Sequence, residues 1–265
     1  MTALVIRSME TGKVRELKPP DLSYLNFDNT HPLWARDGSF LVVNAIDKKG
    51  REGIYRIDAQ SGEAAPLVIR EPGQGSVSAR AWSPDGRTLY ISRSDMKSQE
   101  EVMLARDMQS GKEREFARRK GGWGRGRSIS PDGRFLAVGA QDMSKSSTAL
   151  LLIPVEGGEP RELLRASAPE SLIGSFVAWA PDGKSLLFMK DKGNGAPREL
   201  WRIAADGGAP RKVGLNVDWA PSLGIPGGVS ASFHPDGRQV AFVMGEPKLE
   251  IWALENFLLN AAGAR

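Results

Sequence analysis

The apolar positions of this chain recur in one arrangement. A large apolar residue stands three residues before an Asp-Gly pair, and two more stand four and six residues after the Asp. Trp34 precedes Asp37-Gly38, with Leu41 and Val43 following; Trp82 precedes Asp85-Gly86, with Leu89 and Ile91; Ile129 precedes Asp132-Gly133, with Leu136 and Val138. Trp179 precedes Asp182-Gly183, with Leu186 and Phe188, and Phe233 precedes Asp236-Gly237, with Val240 and Phe242. Positions two apart share one face of a strand, so each copy predicts a strand, a turn and a second strand with a buried side. The turn chemistry agrees in the fullest copy, Trp82-Ser83-Pro84-Asp85-Gly86-Arg87. Pro presets the first corner, the Asp carboxylate accepts from nearby backbone N–H groups, and Gly accepts the positive φ of the exit.

A third strand follows each hairpin: 53–57, 102–104, 149–153, 199–203 and 250–254. After four of these come Ser61-Gly62, Ser110-Gly111, Gly157-Gly158 and Gly207-Gly208, then a short polar fourth strand. Pro160 and Pro210 stand in two of these fourth strands, which marks them as sheet edges because proline has no N–H to donate. The motif aspartates lie 47 to 54 residues apart, the spacing of propeller blades. The fold class is therefore all-β, a β-propeller of four-stranded antiparallel blades.

These units resemble the WD40-like repeats of TolB-type β-propellers, in which a Trp-Ser-Pro-Asp-Gly-Lys/Arg core precedes an apolar strand. The resemblance spans nearly the whole chain and implies a fold, not an activity. It predicts one domain over 1–265: a half blade at 1–20, blades at about 31–70, 76–117, 125–165, 175–213 and 229–255, and a tail at 256–265. Ala3-Leu4-Val5-Ile6-Arg7 aligns with third strands and Lys13-Val14-Arg15-Glu16-Leu17 with fourth strands. With about 21 strands, three fewer than six four-stranded blades need, an incomplete six-bladed ring is expected, the C-terminal portion of a longer bacterial protein. Loops are expected at 18–31, 70–76, 118–126, 165–175 and 214–228, and helix only near 255–265.

Composition narrows the chemistry. In 265 residues, 40% are hydrophobic and 26% charged, which supports a sizeable core. Cysteine is absent, which excludes disulfides, thiol catalysis and cysteine metal sites. No apolar run is long enough to span a membrane. A net charge of +4 fits a solvated basic surface as well as a nucleic-acid partner. The compartment is open between cytoplasm and periplasm.

Candidate sites carry two readings each. The stretch Arg118-Arg119-Lys120-Gly121-Gly122-Trp123-Gly124-Arg125-Gly126-Arg127 could bind an anion or a single strand through cations and a stacking ring, or be a solvated loop diluted by Glu113 and Glu115. Arg80 and Arg127 share one repeat position on the innermost strand, where they could clamp a carboxylate or phosphate, or pair with Asp28, Glu71 or Glu170. Asp218 and Trp219, in the longest loop, are candidates for binding. The Trp/Ile/Phe column reads as core packing between blades and the Asp-Gly column as turn structure. His31 and His234 fall in different repeats and form no metal triad, no nucleophile elbow is visible, and no cofactor is expected. The leading expectation is a non-catalytic scaffold binding a protein or peptide through inter-blade loops and the channel mouth. The rivals are a propeller hydrolase or substrate-gating propeller of a peptidase, and anion or nucleic-acid binding at 118–127.

Overall fold

The computed structural model describes residues 4–7, 14–26, 32–35, 37–95, 97–124, 127–142, 145–193, 198–213, 231–233 and 240–242. Strands β1 (Leu4–Arg7) and β2 (Val14–Leu17) pair as a hairpin. The next sheet contains β3 (Leu22–Asn26), β4 (Leu33–Trp34), β5 (Phe40–Asp47), β6 (Glu52–Asp58) and β7 (Ala64–Ile69). Three four-stranded antiparallel sheets follow. They are β8 (Val77–Trp82) to β11 (Glu113–Lys120) through β9 (Thr88–Asp95) and β10 (Glu100–Asp107); β12 (Arg127–Ile129) to β15 (Arg161–Ser167) through β13 (Phe135–Asp142) and β14 (Ser147–Pro154); and β16 (Ser171–Trp179) to β19 (Arg211–Lys212) through β17 (Ser185–Asp191) and β18 (Glu199–Ala204). Strands β20 (Ala231–Phe233) and β21 (Val240–Phe242) form a last pair. No α-helix occurs among the described residues, and the expected helix at 255–265 lies outside them.

The turns form for the reasons their residues supply. In the second copy Gly86 N bonds to Ser83 O at 2.9 Å, Ser83 Oγ donates to the Asp85 carboxylate and also accepts from Thr88 N, and Asp85 accepts from Arg87 N at 3.0 Å. Ser130, Asp132, Arg134 and Phe135 repeat the same network. Where Ala35 and Ala180 replace the serine, Asp37 takes its hydroxyl partner from Ser39 instead, and Asp182 accepts from Lys184 N and lies 3.8 Å from Arg202 Nη2. Gly38, Gly86, Gly133 and Gly183 have φ between 66° and 74°, which L side chains avoid.

Strands β5, β9 and β13, each second in its sheet's hairpin, bury both faces between two sheets. Leu41 and Val43 pack back onto Leu4 and Leu17, while Val42 packs forward with Leu89 and Ile91. Tyr90 then packs with Leu136 and Val138, and Ala137 with Leu186 and Phe188. The motif's +4 and +6 positions thus face the preceding sheet and +5 the following one, so no blade completes its core alone.

Three features depart from the sequence expectation. Residues 22–26, expected within a loop, form β3, which pairs with the far half of β5 while β4 pairs with the near half. A register shift between Leu22 and Tyr24 breaks the alternation that would have marked the strand. Trp34, expected in the core, is 45% exposed. Trp82 rests edge-on against Phe40 of the preceding sheet and Trp179 likewise packs with Phe135 of the sheet before it, whereas strands β1 and β2 before Trp34 carry no aromatic residue. Finally, Arg118, Arg119 and Lys120 close β11 rather than opening a loop.

Candidate functional site

The seam between the β8–β11 and β12–β15 sheets gathers the most concentrated buried charge among the described residues. Arg80 stands at a bulge in β8, where Ala79 pairs with Ile91 and Ala81 with Tyr90, leaving the arginine unmatched and aimed out of the regular pleat. Its Nε donates to Ser92 Oγ at 2.7 Å and its Nη2 to Glu101 Oε1 at 3.0 Å. Arg127, at the start of β12, donates Nη2 to the same oxygen at 3.0 Å. The other oxygen of Glu101 accepts from Trp123 N at 2.8 Å. Gly122 permits this approach: its φ is 77°, and a Cβ there would stand 3.1 Å from Glu101 Oε2.

The electrostatics follow from two guanidinium groups around one carboxylate. Burial lowers the pKa of Arg80, opposed by the charge of Glu101. Burial also lowers that of Arg127, whose side chain is 2% exposed, and repulsion by Arg80 adds to the effect. For Glu101 burial acts upward, but Arg127, Arg80 and the Trp123 N–H outweigh it and hold the carboxyl below its ordinary range. A carboxylate bonded at both oxygens is not placed to abstract a proton. It ties β8, β10, β12 and the 121–124 crossing into one seam.

The sequence candidates are placed as follows. Arg80 and Arg127 come together on Glu101, which sequence spacing gave no sign of; Glu170 pairs with Lys190 instead, and Asp28 lies outside the described residues. Arg118 is held by Glu115 and Glu100, and Arg119 lies 5.7 Å over the Trp123 ring while bonding Gln141 O. Trp123 is only 8% exposed and belongs to the core with Met103 and Leu136, so its ring is not offered for stacking. Lys120 is exposed. Arg125, Asp218, Trp219, Asp236, Gly237, His31 and His234 lie outside the described residues, and of Phe233 only the strand is described. No group of three His, Cys, Asp or Glu able to hold a metal ion occurs among the described residues.

One repeated feature escaped the sequence reading. Every described second strand from β5 on, among those of the four larger sheets, ends in Asp: Asp47, Asp95, Asp142 and Asp191. Each folds its carboxylate back onto its own loop, accepting from Lys49 N and Arg51 N, Lys97 N, Lys145 N and Gly193 N respectively. Their spacing parallels that of the motif aspartates and was available as a signal.

No family model and no curated protein matches the sequence. Solved structures do. A TolB-type protein of Agrobacterium tumefaciens superposes with a TM-score of 0.62 at 16% identity, covering 79% of this chain and 73% of that one. TolB from Acinetobacter baumannii gives 0.53 at 14% identity over 85% of this chain and 50% of that one. An oligogalacturonate lyase from Vibrio parahaemolyticus gives 0.59 at 17% identity, covering 91% and 65%. Propeller-containing prolyl endopeptidases also superpose, one at 0.55 over 80% of this chain and 32% of that one. At such identities the likeness is one of fold. The repeated turns, the two-faced second strands and these neighbours together give the chain a TolB-like β-propeller fold.

Proposed function

We propose that this chain is a non-catalytic β-propeller scaffold that binds a protein or peptide through the loops at one end of its blades. The observation that carries the reading is the fate of the chemically suggestive residues. Arg80, Arg127 and Trp123 are engaged in the seam, whereas the loops joining second to third strands repeat an Asp cap and carry exposed side chains among their described residues. A rigid scaffold with variable loops is where recognition resides. The fold also carries lyase and peptidase activities in its neighbours, so catalysis is the competing assignment. For residues 118–127, buried Trp123 and paired Arg118 argue against single-strand binding.

The test is selection of peptides from a displayed random library against the purified chain, followed by mapping. Peptides whose binding is lost when the 47–51, 95–99 and 142–146 loops are replaced by Gly-Ser sequences support the scaffold reading. Turnover of oligogalacturonate or of proline-containing peptides, or selection of peptides insensitive to all three replacements, would overturn it.

A further inference from the structure

Strands β1 and β2 hold the places of a third and a fourth strand. Arg7 pairs with Val14 as Ile57 pairs with Ala64 and Arg106 with Glu113, and in each case a glycine (Gly12, Gly62 or Gly111) stands five residues after the first of the pair. Leu4 and Leu17 pack onto Leu41 and Val43 of the following sheet, as Ile54 and Val68 pack onto Leu89 and Ile91. In the four larger sheets every third strand is paired on both sides: β6 by β5 and β7, β10 by β9 and β11, β14 by β13 and β15, β18 by β17 and β19. Among the described residues β1 pairs with β2 alone, so its other edge is where a second strand belongs. The complete seams specify what such a strand contributes. The residue five after the motif Asp (Val42, Tyr90 or Ala137) faces the next sheet from a position opposite Arg56, Ala105 or Leu152. Two residues earlier, Phe40 meets Trp82 edge-on with ring centroids 6.0 Å apart, and Phe135 packs in the cluster of Trp179. The cluster before β5 draws Leu4, Ile6 and Leu17 from β1 and β2 and no residue from a strand beside β1. Trp34, which an aromatic at the earlier position would cover, is 45% exposed.

From this repeat geometry we infer that the edge of β1 docks an extended polypeptide segment of a partner protein, which joins it as an antiparallel second strand. The inference goes beyond the loop-binding reading above, because the site is a sheet edge with Trp34 beside it and not a loop. The chemistry of the partner follows from the register. Ile6 takes the place of Arg56 and Ala105, so an apolar residue of the partner stands opposite Ile6, and an aromatic residue two positions earlier reaches Trp34. The alternate positions point away from Trp34 and suit polar or β-branched residues. Main-chain hydrogen bonds along Leu4–Arg7 supply affinity, and the aromatic and apolar side chains supply specificity. The outer edges β11 and β15 are guarded by charged residues, Glu113, Arg114 and Glu115 in one and Arg161, Glu162 and Arg165 in the other, whereas β1 opens with the apolar run Leu4-Val5-Ile6.

The experiment titrates the full chain with a labelled peptide that copies residues 38–45 with Leu41→Thr and Val43→Thr, so that Phe40 and Val42 form its apolar face. Amide exchange along β1 is followed by NMR and the mass of the complex by light scattering. The peptide is expected to bind and to slow exchange of the β1 amides that do not bond to β2. Phe40→Ser in the peptide and Trp34→Ala in the chain should each weaken binding by about tenfold, and the two together should weaken it by much less than their product, because both remove the same contact. The peptide change leaves the chain untouched, which keeps the result readable if Trp34→Ala does not fold. Absence of binding, equal binding of a scrambled peptide, or binding that leaves β1 exchange unchanged would overturn the inference. So would β1 amides already slow in the free chain, as a monomer if its own segment covers the edge or as a dimer if a second copy does. If library-selected peptides bind the 47–51, 95–99 and 142–146 loops while this peptide does not bind, the scaffold reading stands and only the edge inference falls.

Discussion

Arg114 donates Nη2 to the carbonyl oxygen of Val155 at 2.9 Å, reaching from the fourth strand of one sheet to the third–fourth turn of the next. The contact belongs to a series. Arg161 bonds Ala205 O and Asp206 O one seam further on, and Arg15 bonds Gln60 one seam before the exception. Each arginine stands three residues after a turn glycine, as does Arg211. The exception is Ala65, where the clasp runs backward instead: Arg106 of the following sheet donates to Leu67 O at 3.2 Å. Because the Arg114 side chain is about half exposed, Arg114→Ala should cost no more than about 1 kcal/mol. Arg161→Ala, in a separate seam, should add to it independently. Urea unfolding of the two single variants and the double variant checks this; a double loss well beyond the sum would show that the seams are coupled.

The inner seam should behave differently. Glu101→Ala leaves two buried guanidinium groups without the carboxylate that joins them, so it should destabilise by about 3–5 kcal/mol. Arg127→Met keeps the Arg80–Glu101 pair and places an apolar chain in a buried site, and should cost clearly less. The same denaturation measurement ranks the two. If Arg127→Met proves the more damaging, the seam is held by the packing of that side chain and not by the ion cluster.

The repeating turns and buried second strands were legible because their determinants lie within a dozen residues of one another. Asp85, Gly86, Leu89 and Ile91 specify a hairpin without reference to the rest of the chain. The Arg80–Glu101–Arg127 cluster was legible only in part. The shared position of the two arginines was visible, but Glu101 comes from a third strand, and nothing local ties it to either. Trp123 misled for a physical reason: among arginines and glycines it reads as a surface ring, yet positive φ at Gly121 and Gly122 turns the chain so that the indole enters the core. Trp34 misled in the opposite direction, since its burial depends on what precedes it in space and not on its own repeat.

Acid should unfold the protein in a predictable window. Hydrogen bonds from Ser39, Ser83 and Ser130, by backbone N–H or hydroxyl, lower the carboxyl pKa values of Asp37, Asp85 and Asp132, and Glu101 is lowered by its arginines against the effect of burial. A carboxyl whose folded pKa lies below its unfolded value of about 4 adds stability that is complete above that value. The contribution disappears as pH falls through the folded value. The melting temperature should accordingly be flat from neutrality to about pH 5 and fall steeply below about pH 4. Ser83→Ala with Ser130→Ala should make that fall shallower, because the hydroxyls that hold two of the carboxylates ionised are gone. An unchanged acid slope would place the pH sensitivity elsewhere.

Gly133 offers the sharpest test of the repeat as a packing unit. Its φ is 74°, and a Cβ would meet Pro84 Cδ at 3.0 Å and Cγ at 3.3 Å, in the corresponding turn of the preceding sheet. Gly38 has nearly the same φ, 72°, but open space around its missing Cβ. Gly38→Ala therefore reports backbone strain alone, about 1 kcal/mol or somewhat more. Gly133→Ala adds a collision with a rigid ring whose backbone cannot yield cheaply, and Gly133→Val adds further bulk at the same point. The expected order of destabilisation is Gly38→Ala, then Gly133→Ala, then Gly133→Val, read from urea midpoints at constant slope. Equal losses at Gly38 and Gly133 would mean that the Pro84 turn moves aside freely, and that neighbouring hairpin tips are not in firm contact across the seam.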